Sequence, residues 1–351
     1  MPMIRFYKEI REARFLNPLS GFLLETQPIE FRIDPLTGSP SRINIKRAER
    51  LRKASPTYDV RFREAIENSK KNCYFCQESL EGLTPMFPKD FVPEGRMRLG
   101  SARLFPNLYP FSEHHAVAIF TETPHFLELG DFTPSLLRDC FALAIDYLRL
   151  VASMGNPRPS YGSINWNYGP PAGASILHPH IQILVDEAPT KQVAELIKAS
   201  EEYWKRTGSS YWEDLIEVEK ELGERFVAER EGIAWLVSYA PQGNGEIMAI
   251  LRGTSSLNDM DEGCLKALCE GLHTILKFYQ TRGVKSFNMA SFSGSALEGS
   301  RSFCISFKIL SRPEPRPFYV SDTGFMERLH GETVVDTKPE DLAKELKAFF
   351  Q

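Results

Sequence analysis

The chain is poor in the features that would place it in several broad classes. Nowhere does an apolar run approach the roughly 20 residues that a membrane-crossing helix needs, so the sequence predicts no membrane partner. Its six cysteines are few for 351 residues, and only Cys73 and Cys76 are closely spaced, which argues against a disulfide framework. Positive charge is not in excess. With 42 Lys and Arg against 46 Asp and Glu, the net charge of −4 gives no support to a chain that coats nucleic acid. The stretch Met1-Pro2-Met3-Ile4-Arg5-Phe6-Tyr7-Lys8-Glu9 lacks the apolar segment of a secretory signal, so the expected location is cytoplasmic. What remains is an ordinary globular composition, 42% hydrophobic and 25% charged, long enough for one large or two modest domains.

Against that background one stretch stands out: Gly173-Ala174-Ser175-Ile176-Leu177-His178-Pro179-His180-Ile181-Gln182-Ile183-Leu184-Val185. Residues i and i+2 of a strand project from the same face, so the pattern predicts His178, His180 and Gln182 on one surface. The preceding Asn167-Tyr168-Gly169-Pro170-Pro171-Ala172 leads into a glycine-bearing loop able to bring backbone N–H groups close to an anion. A bare His-x-His is more ordinarily a surface pair on an edge strand. Beside such a loop it suits nucleotidyl transfer, which needs a nitrogen nucleophile next to phosphate-holding donors.

Other segments add candidates. Ser41–Arg52 carries five basic residues in twelve; the plain reading is a solvated basic face, but beside phosphate chemistry Arg47 and Arg50 become bidentate clamps. Cys73-Tyr74-Phe75-Cys76 is either a redox dithiol or half a zinc site. Redox motifs of this spacing normally open a helix, whereas this one runs on into Glu81-Gly82-Leu83-Thr84-Pro85. Zinc would need two further ligands, for which His125 and His178 are available and His114 and His115 compete. Cys140, Cys264, Cys269 and Cys304 read as buried structural thiols.

The order of elements repeats. Ala102–Phe120 reads as strand, turn, strand; Thr133 caps a helix that Pro134 opens and Gly155 stops; Ser163–Asn167 is the next strand. Ile233–Tyr239, Glu246–Leu251, a helix opened by Asn258-Asp259 and ended by Gly283, Lys285–Ala290 and Ser302–Leu310 follow the same plan. Placing Ile183-Leu184 on Ile309-Leu310 sets Cys304 against His178 and Ser306 against His180. One catalytic centre is expected, not two. Charged helices separate the copies, with Tyr203, Trp204 and Trp212 to pack them, and an amphipathic helix is expected over Glu340–Phe350. Residues 1–30 carry no chemistry that can be assigned. The predicted organisation is α+β: a first half at 1–187, a helical connector at 188–232 and a second half at 233–351.

With the His-Pro-His-x-Gln stretch, the Cys-x-x-Cys pair and the repeated halves in hand, the chain resembles galactose-1-phosphate uridylyltransferases, the duplicated branch of the histidine triad superfamily. The resemblance covers most of residues 31–345 and implies a tandem pair of such units, each an antiparallel sheet with flanking helices. Asp34-Pro35-Leu36-Thr37 resembles the family's Asn-Pro-Leu-Thr, and at matching spacing Arg47 and Arg50 fall on its phosphate-contacting arginines. Cys73, Cys76, His125 and His178 correspond to zinc ligands. Asn167, Gly173, Ser175 and Gln182 match positions that hold nucleotide phosphates, Asn107 a position that helps hold the nucleoside, and His180 the nucleophile. Three departures accompany the likeness. Ile181 replaces a glycine, which predicts crowding of the leaving phosphate. The second copy lacks a His-x-His that serves a further metal, and the tail around Ser321–Glu327 has no glutamine to match the one that contacts hexose phosphate.

The activity this implies is exchange of a nucleoside monophosphate between a nucleoside diphosphate sugar and a sugar 1-phosphate, as in a UDP-glucose–hexose-1-phosphate uridylyltransferase. An ADP-sugar phosphorylase or diadenosine tetraphosphate phosphorylase would share the nucleophile and differ in base and acceptor. A non-catalytic nucleotide sensor, blocked by Ile181, and a histidine triad hydrolase are rivals of other classes. The implied cofactor is Zn2+, and the partners are the nucleoside diphosphate sugar with sugar 1-phosphate or phosphate; a homodimer stays open.

Overall fold

A computed structural model describes residues 4–48, 57–154, 160–314 and 321–351. The strands are β1 (Tyr7–Asn17), β2 (Leu23–Ile33), β3 (Pro40–Ile43), β4 (Met97–Leu99), β5 (Ala102–Pro106), β6 (His114–Ile119), β7 (Tyr161–Tyr168), β8 (His180–Asp186), β9 (Phe226–Arg230), β10 (Ile233–Val237), β11 (Ile247–Leu251), β12 (Phe287–Phe292), β13 (Ser306–Ser311) and β14 (Thr333–Val335). They form a ten-stranded sheet, β4-β5-β6-β8-β7-β12-β13-β11-β10-β9, and a four-stranded sheet, β1-β2-β3-β14.

The large sheet reads the same from either edge: β4-β5-β6-β8-β7 from one, β9-β10-β11-β13-β12 from the other, joined by antiparallel β7 and β12. Ile183 lies between Ala116 and Ile164, and Ile309 between Ile247 and Met289. The repeat inferred from sequence therefore has the right register, with Ser306 at the place of His180.

Alternation assigns the two faces. Ile181, Ile183 and Val185 of β8 join Ala116 and Ala118 in the main core, under the helices Pro134–Ala152 and Glu262–Thr281. His180 and Gln182 belong to the other face. Ile181 is therefore directed away from His180, and the crowding expected from it does not arise. The first helix is capped as expected, with Thr133 accepting from Leu136 N–H at 3.2 Å and Pro134 in its first turn; it ends at Ala152, and Gly155 lies outside the described residues. The second begins later than expected. Asn258 and Asp259 form a short 3₁₀ turn capped by Ser256, and Asp261 caps the helix, accepting from Cys264 N–H at 2.7 Å.

On the site face the halves differ. In the first, Phe75, Leu80, Val117 and Ile119 surround Cys73 and Cys76. In the second, helices Lys191–Thr207 and Tyr211–Leu222 cover Leu236, Met248 and Ile250, with Tyr203 and Trp212 buried between; Trp204 is only half-buried. The first 30 residues, mute in sequence, contain most of a long hairpin, β1–β2, turned at Gly21 and carrying exposed Leu19, Phe22 and Leu23.

The small sheet is tied to the body by charge. Arg32 donates to Glu340 at 2.8 Å and 2.9 Å, and Arg225 donates to the same carboxylate at 2.9 Å. Burial alone would raise the Glu340 pKa, but its bonds to Arg32, with Arg225 behind them, bring it down to about 2. A carboxylate depressed in the folded state contributes stability above its unfolded pKa and loses it as pH falls toward the folded one. Unfolding free energy should therefore decline between about pH 4.5 and 2. Discounted for partial exposure, Glu340 accounts for roughly 2 kcal/mol of it. Denaturant titrations across that range should show a shallower slope in Glu340→Gln; an unchanged slope would refute the assignment.

Candidate active site

Cys73 and Cys76 lie on a turn after the helix Thr57–Lys70, and Cys76 caps the short helix Gln77–Leu83. A helix does follow the motif, contrary to expectation. Its surroundings nevertheless suit a metal. The ligand atoms of Cys73, Cys76, His125 and His178 all lie within 4.8 Å of one another, and all four residues are buried. Cys76 Sγ is 3.3 Å from His125 Nδ1 and 3.7 Å from His178 Nδ1, and Cys73 Sγ is 3.7 Å from His178 Nδ1. A tetrahedron with bonds of about 2.0–2.3 Å has edges of about 3.3–3.8 Å, so the spacing fits one ion at the centre.

The second nitrogen of each imidazole is also committed. His178 Nε2 donates to Thr121 O at 2.6 Å. Ser69 Oγ gives its proton to Ile66 O and accepts from His125 Nε2 at 2.8 Å. Both rings therefore turn Nδ1 lone pairs toward the sulfurs, held by outer partners as metal-binding histidines are. Burial lowers the pKa of both, that of His178 to about 4, so the rings are neutral at physiological pH. Burial and the neighbouring Cys73 push the Cys76 thiol up to about 12. A buried thiol that resists ionisation in this way releases its proton when a divalent cation binds beside it. Among the described residues no other His, Cys, Asp and Glu group has this arrangement. His114 and His115 are not part of it.

Two residues beyond His178, His180 opens β8 with 7% of its surface exposed. Its Nδ1–H donates to His178 O at 2.9 Å, which fixes the tautomer and leaves the Nε2 lone pair free. Burial lowers its pKa, partly opposed by that backbone bond, and the ring is neutral. Phe75, from within the Cys-x-x-Cys turn, packs edge-on to it with centroids 5.3 Å apart. The Cys73, Cys76, His125 and His178 cluster and His180 are thus coupled through a carbonyl and a ring.

His115, considered in sequence only as a metal ligand, holds Gln182. Its Nδ1 accepts from Phe111 N–H at 3.4 Å, and its Nε2 donates to Gln182 Oε1 at 2.9 Å. The Asn107 amide is 2.9 Å from the same nitrogen. This imidazole therefore gathers two of the expected nucleotide-binding residues on neighbouring strands.

The loop between β7 and β8 is shaped by two glycines. Gly169 has φ +80°, and a Cβ there would come within 3.0 Å of Lys285 O and Ser286 Oγ. Gly173 has φ +86° with open space around it, so backbone conformation alone requires glycine. Asn288 donates to Asn167 Oδ1 at 2.7 Å and to Ala172 O at 2.9 Å, while Ser286 accepts from Ala172 N–H at 3.1 Å. Residues of the second half thus brace the loop of the first. Ser286 and Asn288 had only a strand-like run to mark them. Gly173 and Ser175 are exposed and Asn167 is half-buried, within reach of a ligand. Arg47 is exposed in a separate recess lined by Asn244, Asp322 and Glu327; Arg50 lies outside the described residues.

No protein-family model matches the chain. An uncharacterized protein of Archaeoglobus fulgidus is 31% identical over 345 residues, covering 98% of each chain. An ADP-glucose phosphorylase from Arabidopsis thaliana, solved with bound ADP-glucose, superposes with a TM-score of 0.70 at 18% identity over 91% of this chain and 98% of that one. A galactose-1-phosphate-uridylyltransferase-like protein from Arabidopsis thaliana gives 0.65 at 20% identity over 79% and 92%. A uridylyltransferase mutant gives 0.64 at 20% identity over 92% and 98%.

Proposed function

Because the chain belongs to one family with the Archaeoglobus fulgidus protein and has the uridylyltransferase-like fold of the histidine triad superfamily, we propose that it is a nucleotidyltransferase working through His180. One observation carries this reading. The Nδ1–H of His180 is spent on His178 O, so a neutral imidazole presents Nε2 on the face that carries Gln182.

In the proposed reaction Nε2 attacks the α-phosphorus of a nucleoside diphosphate sugar. A P–N bond forms, the bridging P–O bond breaks, and sugar 1-phosphate leaves with the electron pair. A phosphate oxygen of the acceptor then attacks the nucleotidyl-histidine, breaking P–N and restoring the ring; the kinetics are ping-pong. Gln182, Ser175 and the Gly173 loop face the charge on the non-bridging oxygens, with Asn167 and Asn107 on phosphate and nucleoside. Zinc, which favours a closed two-thiolate, two-imidazole set, would be held by Cys73, Cys76, His125 and His178 as a structural cross-link.

Uridylyl and adenylyl transfer both fit this site. A panel of UDP-, ADP- and GDP-sugars, each with hexose 1-phosphate or inorganic phosphate, separates them: release dependent on hexose 1-phosphate marks the uridylyltransferase type, and ADP release dependent on phosphate marks the phosphorylase type. Nucleotide binding without exchange of labelled sugar phosphate would favour a sensor, although the ground for that reading weakens with Ile181 directed into the core.

The second half should take no chemical part. Ser306 is fully buried, and its Oγ lacks a hydrogen-bond partner among the described residues. Ser306→Ala removes an unsatisfied hydroxyl and should leave both the nucleotidyl-enzyme and stability unchanged to within about 1 kcal/mol. Loss of the covalent species in that variant would mean that the roles of the halves are reversed.

A further inference from the structure

The best-enclosed cavity described lies away from the imidazoles, on the corresponding face of the second half. It holds about 290 Å³ between the sheet, the helices Lys191–Thr207 and Tyr211–Leu222, and the turn after Asp34. The strand registers show what it corresponds to. Val237 pairs Ile247 as Pro106 pairs Ala116, and Met248 pairs Lys308 as Val117 pairs Gln182. Ser238, Glu246 and Lys308 therefore occupy the places of Asn107, His115 and Gln182. They are also bonded in the same sequence: Ser238 Oγ donates to Glu246 at 2.6 Å, and Lys308 Nζ lies 3.1 Å from that carboxylate. The polar triplet of the first-half site persists with changed chemistry, and the helices roof it over.

The walls contain polar groups with bonds still to make. Lys308 has three ammonium protons and one carboxylate partner, and lines the cavity. Burial opposes its charge, but Glu246 and then Asp34 outweigh it and keep Lys308 protonated. Tyr211 is 3% exposed and lines the cavity. Glu219, 2% exposed, accepts from Arg225 on Oε1 at 2.9 Å, while its Oε2 has no hydrogen-bond partner among the described residues. Aromatic and apolar side chains, Trp212 and Met248 among them, supply the rest of the wall.

Size and charge limit the occupant. Ligand pockets commonly run from roughly 300 to 1,000 Å³, so this one admits a molecule the size of a hexose or a nucleoside and not a nucleoside diphosphate sugar. Three carboxylates, Asp34, Glu195 and Glu219, line it against Lys191 and Lys308, and Glu246 behind Lys308 already takes up that ammonium's charge, so the wall disfavours a phosphate. We propose that this cavity is a second small-molecule site for a neutral ring bearing vicinal hydroxyls, the chemistry shared by a ribonucleoside and a free hexose. Lys308 and Tyr211 donate to ring hydroxyls, Glu219 accepts from one, and Trp212 packs on the ring.

The test is calorimetric titration and saturation-transfer NMR on the full chain with adenosine, uridine and D-glucose as separate probes. Met248→Trp fills the cavity and Tyr211→Phe removes only the hydroxyl. At least one probe should bind at millimolar concentration or below, losing about tenfold or more in affinity in Met248→Trp and several-fold in Tyr211→Phe. A nucleoside response identifies the ligand source as nucleoside, and a glucose response as hexose. Nucleosides can also enter the His180 site, so binding unaltered in both variants overturns the proposal, as does failure of all three probes to bind. If Met248→Trp does not fold, Tyr211→Phe alone decides. Transfer at saturating substrate should be unchanged in both variants.

Discussion

His180→Gly is expected to lose nucleotidyl transfer by several orders of magnitude while still binding nucleotide. The size follows from the two-step path: without the imidazole there is no covalent intermediate, and no neighbouring group replaces it. His178 has Nε2 on Thr121 O and Nδ1 toward two sulfurs, and His115 has both nitrogens bonded. Binding survives because the loop at Gly173 and the His115–Gln182 pair do not depend on the His180 ring. Intact-mass measurement after incubation with UDP-glucose, and separately ADP-glucose, should show one added nucleotide on wild type and none on His180→Gly. An adduct on the variant would refute the assignment, as would unmodified wild type that nevertheless turns over.

Much of this site was legible because its chemistry is local in sequence. His178, His180 and Gln182 lie within five residues, and Cys73 and Cys76 within four, so spacing alone grouped them. Capping was legible for the same reason at Thr133, whose hydroxyl acts three residues away. The start of the second helix was misplaced because Asn258, Asp259 and Asp261 are all good caps, and only the tertiary position of the 3₁₀ turn selects Asp261. What sequence could not reveal is long-range. Asn288 bracing Asn167 spans 121 residues, and His115 reaching Gln182 spans 67. The direction of Ile181 needed the pleat, since a strand sends adjacent residues to opposite faces and only the register decides which is the core. The hairpin of β1 and β2 escaped notice because β1 has no buried residue and the apolar residues near the turn are exposed.

Removing one ligand of the Cys73, Cys76, His125 and His178 set is expected to lower both the bound metal and the activity, in that causal order. The four ligand atoms enclose a single tetrahedral position, and three remaining donors hold an ion far less tightly than four. Cys76→Ser and His125→Ala should fall from one metal per chain to a small fraction by elemental analysis. Their melting temperature should drop by about 7 °C, the size expected from roughly 5 kcal/mol lost in a chain of this length. Activity should follow although neither residue touches substrate. The carbonyl that fixes the His180 tautomer belongs to His178, and without the ion nothing holds that segment against Cys73 and Cys76. His115→Ala gives the contrasting result: full metal content and near-normal melting, with kcat/KM lowered about tenfold or more because Gln182 loses its donor. Full metal content in Cys76→Ser and His125→Ala together would remove those ligands from the site, and loss of metal in His115→Ala would identify a different third ligand. If the metal is lost while the rate of nucleotidyl-enzyme formation is retained, the cluster stabilises its own lobe and the link through the His178 carbonyl is wrong.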